Sequence, residues 1–328
     1  MNIEIAIRLR GTKLEAWETL LNKAGLTYEG DTCDTVLIWD GDTLAATGSR
    51  QGYLLKYIAV DPDRRGEDLT ASVISALRTE AFGEGYDHLF LYTKPENETV
   101  FSSLFFYPIA ATDRVLLMES RRDGIRDFIA TLEAVDKRGR VGAIVMNCNP
   151  FTLGHKYLIE KASDECDHVC VFVLSEDKSD FSASDRIEMV RLGTEHLSNV
   201  TVMPTGNYLI SAATFPTYFI KDRESANDVQ CLLDIEIFGK YFVPHFNIAA
   251  RYVGSEPLSP TTAKYNLALS ENLSKFGVEL VTVERIENEG APISASRVRE
   301  CIKSGDLVAL EKLLPETTLE YLRKKDLI

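Results

Sequence analysis

The chain has 328 residues, about two domains at roughly 150 residues each, and it is 45% hydrophobic, 9% aromatic and 26% charged, the profile of a soluble globular protein. Fifty acidic against 36 basic residues give a net charge of −14, a field that repels polyanions and sets nucleic acid aside as a partner. The apolar runs, such as residues 169–174, fall far short of the ~20 residues a bilayer span needs, and Glu4 interrupts the first of them with no small-residue cleavage site behind it, so the reading is no membrane partner, no secretory signal and a cytoplasmic location.

In chain order, residues 3–8 alternate weakly and residues 13–24 form an amphipathic helix closed by Gly25. Residues 34–39 and 43–49 are strands around the turn pair Asp40-Gly41, and residues 53–60 are a further strand. A helix over 67–82, a strand over 88–92 and a strand over 112–119 complete a mixed α+β half. Residues 121–137 read as a highly charged helix ending at Gly139. This divides the chain into a domain at 1–120, a connecting helix at 121–139 and a domain at 140–328.

From residue 141 the pattern becomes strand, helix, strand, helix. Strands are expected at 141–146, 168–174, 200–203, 249–254 and 278–284. Helices cover 153–165 and 184–196, the second opened by a capping box, Ser182-x-x-Asp185, and three short helices close the chain. Such alternation implies parallel strands with crossover helices, a Rossmann-like sheet with ligands beyond its carboxyl ends. Six cysteines (Cys33, Cys148, Cys166, Cys170, Cys231, Cys301) form no C-x-x-C pair, so reduced thiols, mostly in the core, are expected, and no metal-ligand set is visible.

The most informative stretch runs from Gly142 to His155. A buried strand enters a short turn at Asn149-Pro150, and a helix opens near Thr152 with its free N–H groups aimed into the crevice above the sheet, a seat for phosphate. Thr152 and His155 share one face of that helix, and Gly154 leaves room for a nucleotide against the backbone. An isolated T-x-G-H is more often a capped helix with a surface histidine. A second strand-to-helix turn, Ile293 to Arg299, brings Ser294, Ser296 and Arg299 to the same edge, with hydroxyl and guanidinium donors suited to β- and γ-phosphates.

Together the two turns resemble the T/H-x-G-H and I-S-x-S-x-x-R signatures of the nucleotidyltransferase superfamily, which cleaves ATP between its α- and β-phosphates. Residues 147–155, 181–190, 208–221 and 253–262 further resemble the citrate lyase ligase family, over essentially the whole chain. The resemblance implies an α/β fold, a Rossmann-like nucleotidyltransferase domain preceded by an α+β domain similar to GNAT acetyltransferases. It implies an acid–thiol ligase that uses ATP, Mg2+ and acetate to acetylate the phosphoribosyl-dephospho-CoA thiol of the citrate lyase acyl carrier subunit. Acetyl adenylate would be the intermediate, with AMP and pyrophosphate as products.

On that resemblance His155, Thr152 and Arg299 are the expected catalytic residues, the first two at the α-phosphate and Arg299 with Ser296 at the outgoing pyrophosphate. Asn149, Phe151, Gly154, Lys178, Gly254, Glu256, Ser294 and Ser296 are the expected nucleotide-binding set. Thr214 and Tyr218, four apart, line the acetate or thiol entrance or else pack in an aromatic core. Arg186 is read as a salt-bridge partner near the mouth, and Cys148 shows no neighbouring base that would make it a nucleophile. In the N-terminal half, Asp68 and Thr70 stand where GNAT enzymes carry pyrophosphate-cradling glycines, which opposes independent acetyl-CoA binding while leaving a docking role for the carrier or its arm. An adenylyltransferase acting on a phosphate acceptor, of the pantetheine-phosphate or nicotinate/nicotinamide mononucleotide type, would use the same two motifs.

Overall fold

The alternating run at the start forms β1 (Asn2–Ala6), and the amphipathic stretch after it forms α1 (Gly11–Lys23), which buries Trp17, Leu20 and Leu21. The turn at Asp40-Gly41 joins β2 (Asp34–Asp40) and β3 (Thr43–Gln51) as an antiparallel hairpin. There follow β4 (Leu54–Val60), α2 (Leu69–Gly83), β5 (Phe90–Thr93), α3 (Glu98–Ser103), β6 (Tyr107–Ala111) and β7 (Leu116–Glu119). The computed structural model describes residues 1–31, 33–176, 179–209, 215–220, 223–255 and 260–328, and places these elements in a seven-stranded sheet of order β1-β2-β3-β4-β5-β7-β6. Only the β4–β5 pair is parallel. That pair is registered at Leu54↔Phe90 and Leu55↔Leu91, and beyond it a cavity of about 640 Å³ opens, lined by residues of both strands and of α2. Val73, Leu77, Val36, Leu55, Leu91 and Met118 form the core on the α2 side.

The unit built on this sheet comprises Met1–Gly124 together with Pro216–Val229. Residues 216–229 lie within the stretch that the sequence pattern assigns to the C-terminal domain. Their place here follows from specific contacts: Thr217 donates through N–H and Oγ1 to Glu29 at 2.6 Å each, and Tyr218 OH donates to the Tyr92 carbonyl at 3.0 Å. Tyr218 is buried beside the Tyr57 ring, 4.7 Å between centroids, and it also lines the cavity of about 640 Å³, so it is an aromatic core residue at a cavity wall. Thr214 lies outside the described residues.

The other unit comprises Ile125–Phe215 and Gln230–Ile328. Just ahead of it, at Gly124, the expected long connecting helix begins, and it is limited to α4 (Gly124–Thr131). Ile125 and Ile129 anchor α4, whereas residues 133–139 offer mostly charged side chains with little to bury, so nothing repays a longer helix there. The chain continues through β8 (Val141–Met146), α5 (Leu153–Glu165), β9 (His168–Val173), α6 (Ala183–Thr194) and β10 (Val200–Pro204). After α7 (Arg223–Ile237), a π-helical turn at Phe238–Phe242 leads to α8 (Val243–Phe246), β11 (Ile248–Gly254), α9 (Pro260–Asn272) and β12 (Glu279–Val283). Three short helices, α10 (Ala295–Ser304), α11 (Leu307–Leu313) and α12 (Glu316–Lys324), complete it.

The five strands of the main sheet are all parallel, in the order β10-β9-β8-β11-β12, and a short antiparallel pair, Glu287–Asn288 with Ala291–Pro292, stands apart from it. The fold is thus α/β with a Rossmann-like parallel sheet, as the alternation implies. The near-continuous apolar sequences of β8 and β9 are buried on both faces, the condition under which parallel strands are stable. Because β9 and β11 flank β8, the order reverses beside β8, and the turn leaving β8 opens on the crevice where such sheets bind ligands.

Candidate active site

The helix start after β8 is built by two reciprocal hydrogen bonds. Thr152 is in extended conformation as the N-cap of α5; its Oγ1 accepts from the His155 N–H at 3.3 Å, while His155 Nδ1 accepts from the Thr152 N–H at 3.1 Å. The histidine therefore occupies the place that glutamate takes in an ordinary capping box. An Nδ1 that accepts from a backbone N–H carries no proton, so a neutral ring holds its proton on Nε2. Burial, reinforced by the positive charge of Arg285, pulls the His155 pKa down to about 4, so the ring is neutral at pH 7. The result is a fixed Nε2–H donor beside the first free N–H groups of a helix.

Gly154 owes its identity first to packing. A Cβ there would stand 3.3 Å from the Ile293 carbonyl oxygen, so the start of α5 and the segment leading to α10 approach backbone to backbone. At Gly254 a Cβ would stand 3.5 Å from Arg285 Nε, an ordinary contact, so its lack of a side chain is not demanded by space. Both glycines line a small cavity of about 100 Å³ with Thr152, His155, Arg285 and Ser294.

The second motif reaches the same turn. Ser294 caps α10, its Oγ accepting from the Arg297 N–H at 3.3 Å, and Ser296 is exposed on the first turn. Arg299, one turn on, donates through Nη2 to Ser296 Oγ at 3.1 Å and through Nη1 to the Asn149 carbonyl at 2.7 Å. Residues 150 positions apart in sequence are thus in direct contact. Asn149 is itself fixed, its Oδ1 accepting from the Phe181 N–H at 3.1 Å.

Several expectations change at this level. The Phe151 ring has no exposed surface and fills the space that a Cβ on Gly193 would enter at 2.3 Å; its side chain is a core group and cannot contact a nucleotide. Arg186 is fully buried, not a surface salt-bridge partner at the mouth. Its guanidinium donates to the carbonyls of Asn147, Leu174 and Phe181 at 2.8 to 3.1 Å and to that of Glu176, drawing together the ends of β8 and β9. Lys178 and Glu256 lie outside the described residues. Cys148 is buried at a left-handed backbone position (φ 53°), and burial raises its thiol pKa far above neutrality, which opposes a thiolate nucleophile.

Two residues at the site had not been singled out. Arg285 follows the end of β12, and position at the carboxyl end of a parallel strand is the signal that would have found it. Asp180, in the loop from β9 to α6, meets Arg299 and Asn149, and no local pattern marks it. Of the four histidines elsewhere, three have hydrogen-bonding partners, His88 with Glu119, His168 with Thr201 and His196 with Glu160, and His245 packs its ring on Phe246. Among the described residues no group of three or more His, Cys, Asp or Glu side chains is placed to hold a metal ion, and no helix is long and apolar enough to cross a membrane.

A parallel sheet whose first crossover helix opens with Thr152-x-Gly154-His155, tied by Arg299 to a second serine-capped helix, defines an enzyme of the nucleotidyltransferase type. Residues 141–322 match the family model described as "Citrate lyase ligase C-terminal domain". A [citrate [pro-3S]-lyase] ligase of Klebsiella pneumoniae is 40% identical over 94% of this chain and 92% of its own, and one of Escherichia coli K12 is 37% identical over 86% and 82%. The chain belongs to the citrate lyase ligase family and is a ligase. A phosphopantetheine adenylyltransferase of Clostridium botulinum, 37% identical, matches 54% of this chain, which leaves the rest unaccounted for.

Proposed function

We propose that this enzyme joins acetate to the prosthetic thiol of the citrate lyase acyl carrier subunit at the expense of ATP. An acetate oxygen attacks the α-phosphorus and the bond to the β-phosphate oxygen breaks, giving acetyl adenylate and pyrophosphate. The carrier thiol then attacks the acetyl carbon, loses its proton and expels AMP. The observation that carries this reading is the contact of Arg299 with the Asn149 carbonyl, which sets a guanidinium against the turn that opens α5. In the proposal the free N–H groups of α5 and the neutral His155 Nε2–H receive charge growing on the α-phosphate, and Arg299 with Ser296 holds the β- and γ-phosphates. Magnesium would arrive bound to the triphosphate and neutralise part of its charge. The protonated, buried Cys148 favours an adenylate over an acyl-enzyme.

In the same proposal the N-terminal unit has ceased to transfer acetyl groups and serves the carrier or its arm. The support is electrostatic: Asp68 stands beside the start of α2 at the rim of the 640 Å³ cavity, where a pyrophosphate would meet a carboxylate. Acetyl transfer from acetyl-CoA to an amine by this enzyme would overturn that part. For the main reaction, ATP, acetate and deacetylated citrate lyase should give AMP and pyrophosphate in equal amounts with restored lyase activity, and hydroxylamine should trap acetohydroxamate. Release of ADP and phosphate would refute the adenylate. Turnover of phosphopantetheine in place of acetate would identify an adenylyltransferase.

A further inference from the structure

Asp180 is half exposed, yet its Oδ2 lies 3.2 Å from Asn149 Nδ2 and 3.2 Å from Arg299 Nε. With the Arg299-to-Asn149 carbonyl bond at 2.7 Å, the three residues close a ring that ties together the turn after β8, the loop after β9 and α10. Arg299 donates two hydrogen bonds to protein, to the Asn149 carbonyl and to Ser296, and its Nε lies 3.2 Å from the Asp180 carboxylate. A guanidinium has five N–H groups, so others remain for a phosphate. The ring thus fixes the plane of the guanidinium before any substrate arrives.

A neutral acceptor could do the same. A carboxylate does something more, because it stands against the guanidinium that must hold a polyanion and repels that polyanion at close range. We infer that Asp180 is a positioning residue that holds Arg299 in its working orientation and, by competing with pyrophosphate for it, promotes release of that product. The inference rests on the proposed role of Arg299 at the β- and γ-phosphates.

The test is product inhibition in the full-length enzyme. Asp180→Asn keeps the shape and removes the charge, so the inhibition constant for pyrophosphate should fall about 5- to 20-fold, the scale of one half-screened charge near the site. Turnover should fall with it as release slows. Asp180→Ser serves as a second neutral variant if the first folds poorly, with circular dichroism as the check. In an Arg299→Ala background the same substitution should lower the inhibition constant by a smaller factor, because only the direct repulsion is then relieved and not the competition for the guanidinium. A folded neutral variant whose pyrophosphate inhibition is unchanged or weaker overturns the inference. If Arg299→Ala alone leaves pyrophosphate affinity intact, the role of Arg299 itself fails; if it weakens that affinity while Asp180→Asn has no effect, only the role of Asp180 fails.

Discussion

Two of the helices that follow a strand of a parallel pair, α5 and α2, begin differently. The start of α5, after β8, has an extended Thr152 cap, a reciprocal bond from His155 and cationic or hydroxyl neighbours in Arg285, Ser294 and Arg299. The start of α2, after β4, has Gly66 at φ 93° and Asp68 at φ 53°, with no side-chain cap bond. Left-handed backbone is what glycine would supply most cheaply at both positions, and Asp68 adopts it regardless. The start of α2 thus combines a left-handed backbone with an exposed carboxylate. An aspartate at a helix start already complements the helix dipole, leaving less for a ligand to gain. The two helix starts differ in the side chain set beside the free N–H groups, a carboxylate from Asp68 at one and the neutral ring of His155 at the other.

The widest contrast should appear in turnover. His155→Ala should slow AMP release by about 10² to 10³, the usual cost of one charge-stabilising donor, with an unchanged circular dichroism spectrum. Asp68→Gly should leave acetate-dependent ATP–pyrophosphate exchange at its normal rate. Near-normal turnover in the first variant, or a loss in the second comparable to it, would erase the distinction between the two helix starts.

The next contrast is with acid. An unfolded chain protonates His155 near pH 6.5 and the native state only near 4, so between these values the native state binds fewer protons. Its contribution to stability is complete above pH 6.5 and is lost as pH falls toward 4. In ring NMR spectra, one histidine signal, absent in a His155→Gln variant, should stay at its neutral position through pH 5. A midpoint near 6.5 for that signal would contradict the neutral donor.

The smallest contrast concerns the caps. Thr152→Val removes an N-cap oxygen and should lower stability by about 1 kcal/mol, read as a lower thermal midpoint. Asp68→Ala removes no cap bond and should cost nothing by that route. Equal losses at both positions would mean that the Thr152 hydroxyl is not what holds the start of α5.

Much of the C-terminal unit was legible because its signals are local. The five parallel strands are short apolar runs separated by amphipathic helices, and Ser182 caps α6 by accepting from the Asp185 N–H at 3.1 Å, the pairing its sequence announces. The edge strand β6 was harder to see, since Pro108 suppresses a strand reading and is tolerated only where one side of the ladder is unpaired. The far half of the connecting helix was over-read because helical periodicity in charged residues says nothing about whether anything lies beneath them.

By itself, then, the sequence determined the alternation that makes a parallel sheet and the two helix starts with Thr152, His155, Ser294 and Arg299. Those features depend on residues within a few positions of one another, where propensity and capping act. Only the tertiary structure decided that residues 216–229 join the N-terminal unit, that Arg186 is buried among strand-end carbonyls, that Phe151 is core, and that Asp180 meets Arg299. Each of these depends on which distant groups satisfy a buried donor, a carboxylate or an aromatic face, and such partners are chosen by the packing of the whole chain, not by spacing along it.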